Sequence, residues 1–316
     1  MGRRSERLSK DGPGIGDGDV IQVVSRAFDV LRCFDGHDTR LGNLDIASRC
    51  GLPRSTVSRL THTLTRMGQL VYLPNDQKYR IGPSAVAMST AMLRGLHLRN
   101  LIRARLEEVA ATIPGTVGFV VPDRFHLVYL EYARASNAIG LSSVTGTRIA
   151  IALTAAGHAY TAALDPDVAD ALIRDIAREA PDDAKVLRAR IDDNRKALAQ
   201  NGYVTACGLW SPHINGIALP LWSPQYNTFV VITIGLLAPM YDERRLHAEV
   251  AQPLLALGRS VATIIEAAEG RFDDGRARPA NSPYRHQSTS EVTHELEAGT
   301  GRTRPARNLR KGDGRR

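Results

Sequence analysis

Arg54, Ser55, Thr56, Ser58, Arg59, His62 and Thr63 fall within ten residues, and each carries a hydrogen-bonding side chain. Val57, Leu60, Leu64 and Met67 interleave with them at three- and four-residue spacing, which predicts a helix with one buried stripe and one polar face. That combination suits the reading of duplex DNA. Side chains near a helix start reach base edges in the major groove, and guanidinium groups further along serve phosphates or ion pairs. Arg54, Ser55, Thr56 and Ser58 hold the early positions, Arg59 and Arg66 the later ones. Downstream, Lys78 and Arg80 sit where a hairpin would offer them to the DNA backbone or minor groove.

Catalytic chemistry finds no comparable constellation. The sequence contains no His-Glu-x-x-His, no Gly-x-Ser-x-Gly, no phosphate loop and no dinucleotide fingerprint, so no nucleophile, cofactor or metal is nominated. His97, His126, His158 and His213 are scattered, and Cys33, Cys50 and Cys207 lie too far apart for a disulfide framework or a zinc site. The chain reads as a non-enzyme with reduced thiols.

The elements that must position the polar helix can be read around it. Val24, Ala27, Phe28, Leu31 and Phe34 predict an amphipathic helix over 22–35, with that stripe buried. A short second helix spans Leu44 to Cys50 with Asn43 or Gly42 as cap, Gly51 supplies a turn, and Pro53 suits the first position of the third helix. Leu70–Leu73 and Lys78–Ile81, joined through Asn75 and Asp76, read as a hairpin. Three helices and a hairpin make a winged helix-turn-helix. Ser84 to Leu96 then returns to a helical pattern with Val86, Met88 and Leu93 available for burial. Further helices are expected near 99–112, 155–164, 166–178, 183–200 and 242–267. Strands are expected at 116–121, 125–132, 138–144, 203–206, 214–222 and 228–237, mainly antiparallel, and the fold class is α+β.

The 316 residues, 43% hydrophobic and 23% charged, suit two domains with real cores. Residues 21–95 carry ten Lys/Arg against five Asp, residues 96–270 sixteen against eighteen, and residues 271–316 eleven against six. A basic first segment and a near-neutral middle fit a nucleic-acid module joined to something that binds no polyanion. The expected division is a disordered tail over 1–19, the winged helix over 20–83, a linker helix over 84–98, an effector-binding domain over 99–270 and a disordered basic tail over 271–316. No apolar run approaches the length of a membrane span and no secretory leader is evident, which places the chain in the cytoplasm.

The string from Leu44 to Leu60, LDIASRCGLPRSTVSRL, followed by Leu64, Gly68 and Tyr79-Arg80-Ile81-Gly82, resembles the DNA-binding domain of the IclR family of bacterial transcriptional regulators. The resemblance continues through Gly115-Thr116-Val117, Gly146-Thr147-Arg148, Thr154-Ala155-Ala156-Gly157, Gly202-Tyr203 and Ile217-Ala218-Leu219-Pro220, over about residues 22 to 267. It implies a GAF-like effector domain, a homodimer or homotetramer, and operator DNA as partner.

It also implies an effector cup between the sheet and the helix after the Gly-Thr-Arg loop, with Leu141, Ile149, Ala155, Ala156, Ile214, Gly216, Thr233 and Gly235 at matching positions. Thr154 is placed to cap that helix, leaving the Ala155 and Ala156 amides at a positive helix end that favours a carboxylate. After Gly202-Tyr203 the acidic run usual in the family is replaced by Val204-Thr205-Ala206-Cys207, and Gly216 stands at the position of a later cysteine. A roomier, more apolar pocket is therefore expected, with Trp210 or Trp222 as an aromatic wall. The function anticipated is a ligand-responsive regulator of catabolic genes that senses a small carboxylic acid, aromatic or similarly bulky. The alternatives are an enzyme-like small-molecule domain with an accessory winged helix, and a nucleic-acid structural protein without ligand.

Overall fold

The computed structural model describes residues 21–34, 38–135 and 144–269. Expectations for the two tails, for Leu141 and for most of the strand at 138–144 lie outside the described residues. The chain divides into two compact units, the first reaching Ala104 and including residues 144–147, the second beginning at Arg105.

The first unit opens with α1 (Gln22–Arg32), α2 (Asn43–Cys50) and α3 (Arg54–Arg66). Gly42 is the N-cap of α2, and Asp45 reaches back to accept its amide at 2.9 Å. Gly51 at φ 66 makes the left-handed turn into α3, a conformation open to glycine at little cost. Thr61, buried on α3, donates to Asn43 Oδ1 at 3.1 Å and so ties the two helices together. Strands β1 (Leu70–Leu73) and β2 (Lys78–Ile81) have the expected bounds and pair antiparallel, Leu70 opposite Ile81. Tyr79 also exchanges backbone hydrogen bonds with Leu41 at 2.8 and 3.0 Å, which fixes the wing to the helices.

The core of this unit is Val30, Leu41, Ile46, Val57, Leu60, Leu64, Leu70 and Cys33, with Ala27, Leu31 and Phe34 packed against it. The stripe expected on α1 is therefore half right. Val24 and Phe28 are each 49% exposed, because Val30 and Cys33 take the inward positions and rotate the apolar face. Helix α4 (Pro83–Gly95) likewise buries only Ala85, and Val86, Met88 and Met92 face outward.

All three cysteines are free. The Cys33 thiol donates to the Asp29 carbonyl at 3.3 Å; burial and the neighbouring Cys50 thiol push it up from 9.0 to about 11. Unfolding releases a thiol that ionises near pH 9 while the folded one holds its proton to about pH 11. The contribution to stability is thus level below pH 9 and lost above it, by at most about 2–3 kcal/mol at pH 11. Denaturation of the parent and of Cys33→Ala between pH 7 and 11 should show a shallower alkaline decline in the variant, and equal slopes would contradict this account.

The second unit is built on a six-stranded sheet ordered β5-β4-β3-β8-β7-β6, every neighbouring pair antiparallel. Its strands are β3 (Thr116–Asp123), β4 (His126–Arg134), β5 (Arg148–Ala150), β6 (Val204–Cys207), β7 (Ile214–Ser223) and β8 (Thr228–Leu237). Helix α5 (His97–Ala110) precedes β3. Helices α6 (Ala155–Ala163), α7 (Pro166–Glu179) and α8 (Pro181–Asn201) form the layer on one face. The closing helix, α9 (Glu243–Arg245), runs through a π-helical turn at Leu246–Val250 into α10 (Ala251–Glu269), which packs against β7 and β8. Gly258 of α10 meets Leu219 so closely that an added β-carbon would lie 2.7 Å from it. Since Gly216 and Ala218 point at α6, Leu219 points the other way, and the sheet lies between α6 and α10. Strand β5 was not anticipated: the three-residue run Arg148–Ala150 is too short to show alternation.

Candidate functional site

In α3 the buried residues are Val57, Leu60, Thr61 and Leu64. Arg54, Ser55, Ser58, Arg59, His62 and Thr63 are exposed and Thr56 is half-buried, so the predicted polar residues do share the outer side of one helix. Pro53 is the N-cap rather than the first helical residue, and it offers no side-chain cap. The amides of Arg54, Ser55 and Thr56 thus open the helix without intrahelical acceptors, an arrangement that favours anionic oxygens. Thr63 folds back to the Arg59 carbonyl at 2.9 Å, which leaves its hydroxyl less available than those of Ser55 and Ser58. On the wing Arg80 is exposed. Lys78 is half-buried and lines a cleft with Asp38, Arg40, Asp45 and Arg49. The wing's turn is held by an Arg40–Asp76 ion pair of 2.7 Å.

The second candidate site lies where α6 begins. Thr154 is its N-cap: the hydroxyl accepts the Gly157 amide at 3.2 Å and donates to the Ala150 carbonyl at 2.8 Å. Gly157 is therefore satisfied, and Ala155 and Ala156 carry the helix-start amides that have no acceptor a turn earlier. The helix is anchored from behind by His158, fully buried, whose Nε2 donates to the Ala152 carbonyl and whose Nδ1 accepts from Asn194, both at 2.8 Å. Burial pushes the imidazole below its usual range, so it is a neutral structural histidine bridging α6 to α8.

Strand register shows what lies under this helix start. Gly216 pairs with Gly235, and Gly235 pairs with Thr116. Directly paired residues share a face, and a β-carbon on Gly216 would lie 3.0 Å from the Ala155 methyl. Gly216, Gly235 and Thr116 are consequently one row of the floor below α6. The next row is Ala218, Thr233 and Gly118. Ile214 shares the face of Gly216, and Ile149 joins the same side through its pairing with Leu127 at the far end of β3 and β4. Gly216 does not provide the extra room expected of it, because Ala155 occupies that space. Gly216 and Gly235 are both partly open, and Gly235 has no side chain to close the floor.

Trp222 stacks edge-on against Phe229 with ring centroids 5.4 Å apart and belongs to the core, whereas Trp210 is 54% exposed in the turn between β6 and β7. Neither forms the wall expected for the pocket. Tyr129 was not foreseen: its ring lies so close over Gly118 that any β-carbon there would collide with it. Thr116 was missed as well, since an unpartnered hydroxyl leaves no trace in spacing. Among the described residues, no group of three His, Cys, Asp or Glu is placed to hold a metal, and no helix is long and apolar enough to cross a membrane.

Comparison with known proteins matches both parts of the chain. Residues 23–74 match the IclR helix-turn-helix domain, and residues 90–263 match the bacterial transcriptional regulator IclR C-terminal domain. The HTH-type transcriptional regulator TsaQ1/TsaQ2 of Comamonas testosteroni is 25% identical over 225 residues, 71% of this chain and 79% of its own. The HTH-type transcriptional regulator XynR of Escherichia coli is 25% identical over 248 residues, 77% of this chain and 98% of its own. Among solved structures, an IclR family regulator from Brucella abortus superposes with a TM-score of 0.70 at 26% identity, covering 80% of this chain and 97% of that one. An IclR homolog from Microbacterium hydrocarbonoxydans, solved in complex with 4-hydroxybenzoate, has the same fold at a TM-score of 0.59 and 21% identity, covering 78% of this chain and 99% of that one. With both domains matched in order and over most of its length, the chain belongs to the IclR family of bacterial transcriptional regulators.

Proposed function

We propose that this protein is a cytoplasmic, non-enzymatic regulator that binds operator DNA through α3 and the wing and controls catabolic genes in response to a small carboxylic acid, aromatic or similarly bulky. The observation that carries the DNA reading is the outer side of α3: hydrogen-bonding residues standing clear of the fold over a buried Val57–Leu60–Leu64 stripe. Such a face can pair its donors and acceptors with the base edges and phosphates of duplex DNA. Two copies, as a homodimer or within a homotetramer, account for Val24, Phe28, Val86, Met88 and Met92, large apolar side chains left exposed on α1 and α4, since a second copy is the partner that would cover both helices.

The acid reading is supported by the Thr154-capped start of α6 over a floor of small residues. A carboxylate there accepts from the Ala155 and Ala156 amides, and Ile149 and Ile214 line the same side of the sheet for an apolar body. The 4-hydroxybenzoate complex of the Microbacterium homolog is consistent with it. Because a ligand shifts an equilibrium only by its different affinity for two states, the acid must favour one arrangement of the paired recognition helices.

A mobility-shift titration of the full chain on DNA from upstream of its own gene tests this. Benzoate or 4-hydroxybenzoate should change operator affinity at least about fivefold, the lower end of ordinary coupling, with glyoxylate and pyruvate without effect. Stronger action by the two- and three-carbon acids would refute the aromatic reading, and equal affinity for operator and random DNA would refute the whole.

A further inference from the structure

Thr116 is 2% exposed, and its Oγ1 has no hydrogen-bond partner in the fold. A buried hydroxyl without a partner is unfavourable by itself, and such groups in native proteins usually have a use. Its position suggests one. Thr116 stands on the α6 side of the sheet in the row Gly216, Gly235, Thr116. At one end of that row the Ala155 amide nitrogen is 3.9 Å from where a Gly216 β-carbon would be. At the other end is the Thr116 hydroxyl. The residue between them in the row is Gly235, which has no side chain and is partly open.

The two polar ends are thus separated by two strand spacings, about 9–10 Å of backbone. The neighbouring row gives this space a wall, because the Tyr129 ring covers Gly118 two residues along from Thr116. Thr233, the other hydroxyl on this floor, already leans toward the Ile217 carbonyl at 3.5 Å. Thr116 is left as the acceptor and donor at the far end.

We propose that Thr116 Oγ1 is a second anchor of the effector site, so that the preferred acid is bifunctional, bearing a hydroxyl or comparable polar group remote from its carboxylate. This rests on the reading of the α6 start as the carboxylate site and adds the ligand class. A monofunctional acid leaves the hydroxyl unsatisfied. An acid polar at both ends spans Gly235 and pairs it, gaining the worth of one hydrogen bond.

The test is calorimetric titration of the full chain with benzoate, 3-hydroxybenzoate and 4-hydroxybenzoate, repeated on Thr116→Val and Thr116→Ser. At least one hydroxybenzoate should bind the parent about 3- to 10-fold more tightly than benzoate. Thr116→Val should abolish that margin while leaving benzoate affinity unchanged, and Thr116→Ser should keep it. Without ligand, Thr116→Val should melt no lower than the parent, since no internal hydrogen bond is removed. Binding of benzoate with no gain from either hydroxyl overturns the second anchor but leaves the carboxylate site standing. So does a parallel loss of all three acids in Thr116→Val, or a marked fall in its ligand-free melting temperature. Failure of all three acids to bind the parent overturns both.

Discussion

Gly157→Ala should cost the second unit at least about 3 kcal/mol, visible as a fall of roughly 10 °C in its thermal transition and as loss of acid binding. The added methyl has nowhere to go. Its β-carbon would run into the carbonyl oxygen, carbonyl carbon and α-carbon of Ile151, and these are backbone atoms of the segment that leads from β5 into α6. A flexible side chain could swing aside, but a chain whose neighbours are pinned cannot. Thr154 holds Ala150 and Gly157 together through one hydroxyl, and His158 bonds the Ala152 carbonyl from inside the helix. Relief of the clash must move α6 off the sheet, separating Ala155 from Gly216. Gly95→Ala is the matched control: nothing lies within 4 Å of its added β-carbon, and its melting curve should stay within about half a kcal/mol of the parent. A Gly157→Ala protein that melts with the parent and still binds acid would mean that the contact between α6 and Ile151 is loose.

What the sequence made legible depended on how local the signal was. The strands of the wing were legible to the residue, because Asn75-Asp76 between two short runs rich in strand-forming residues identifies the turn. The stripe on α3 was legible in three of its four positions, Val57, Leu60 and Leu64; Met67, expected as the fourth, lies at the C-cap and is 61% exposed, while Thr61 is buried instead. On α1 the periodicity was sound but its phase was not: Val24 and Phe28 are as apolar as Val30, and only packing against α3 tells which side turns inward. The effector floor was legible in kind, as small residues around Thr154, and illegible in detail. Gly216 read as vacated space, yet the structure has Ala155 in contact with it. Thr116 became visible only when β3 was seen paired with β8, because its significance is a missing partner rather than a pattern.

Replacing Arg54 and Ser55 together by Ala should abolish operator recognition while leaving the fold intact. Both side chains are exposed at the start of α3 and contribute nothing to its buried stripe. Truncating them therefore leaves the core intact, and stability should change by less than about half a kcal/mol. A good base contact is worth about 1–3 kcal/mol of discrimination, so two of them cost about 2–6 kcal/mol, or a loss of roughly 30-fold or more in operator affinity. Affinity for random DNA depends on phosphate contacts and should fall much less, by the share of one arginine's charge, with the salt slope shallower by about one. The contrast with Thr61 on the same helix separates reading from folding. Thr61 is fully buried and bonded to Asn43, so Thr61→Val should lower the melting temperature by breaking the tie between α2 and α3. The measurement is binding to an operator selected by the parent chain from a random pool, beside random DNA, at two salt concentrations. If the double variant loses the same factor on both DNAs, Arg54 and Ser55 touch only the backbone, and the bases are read elsewhere on α3.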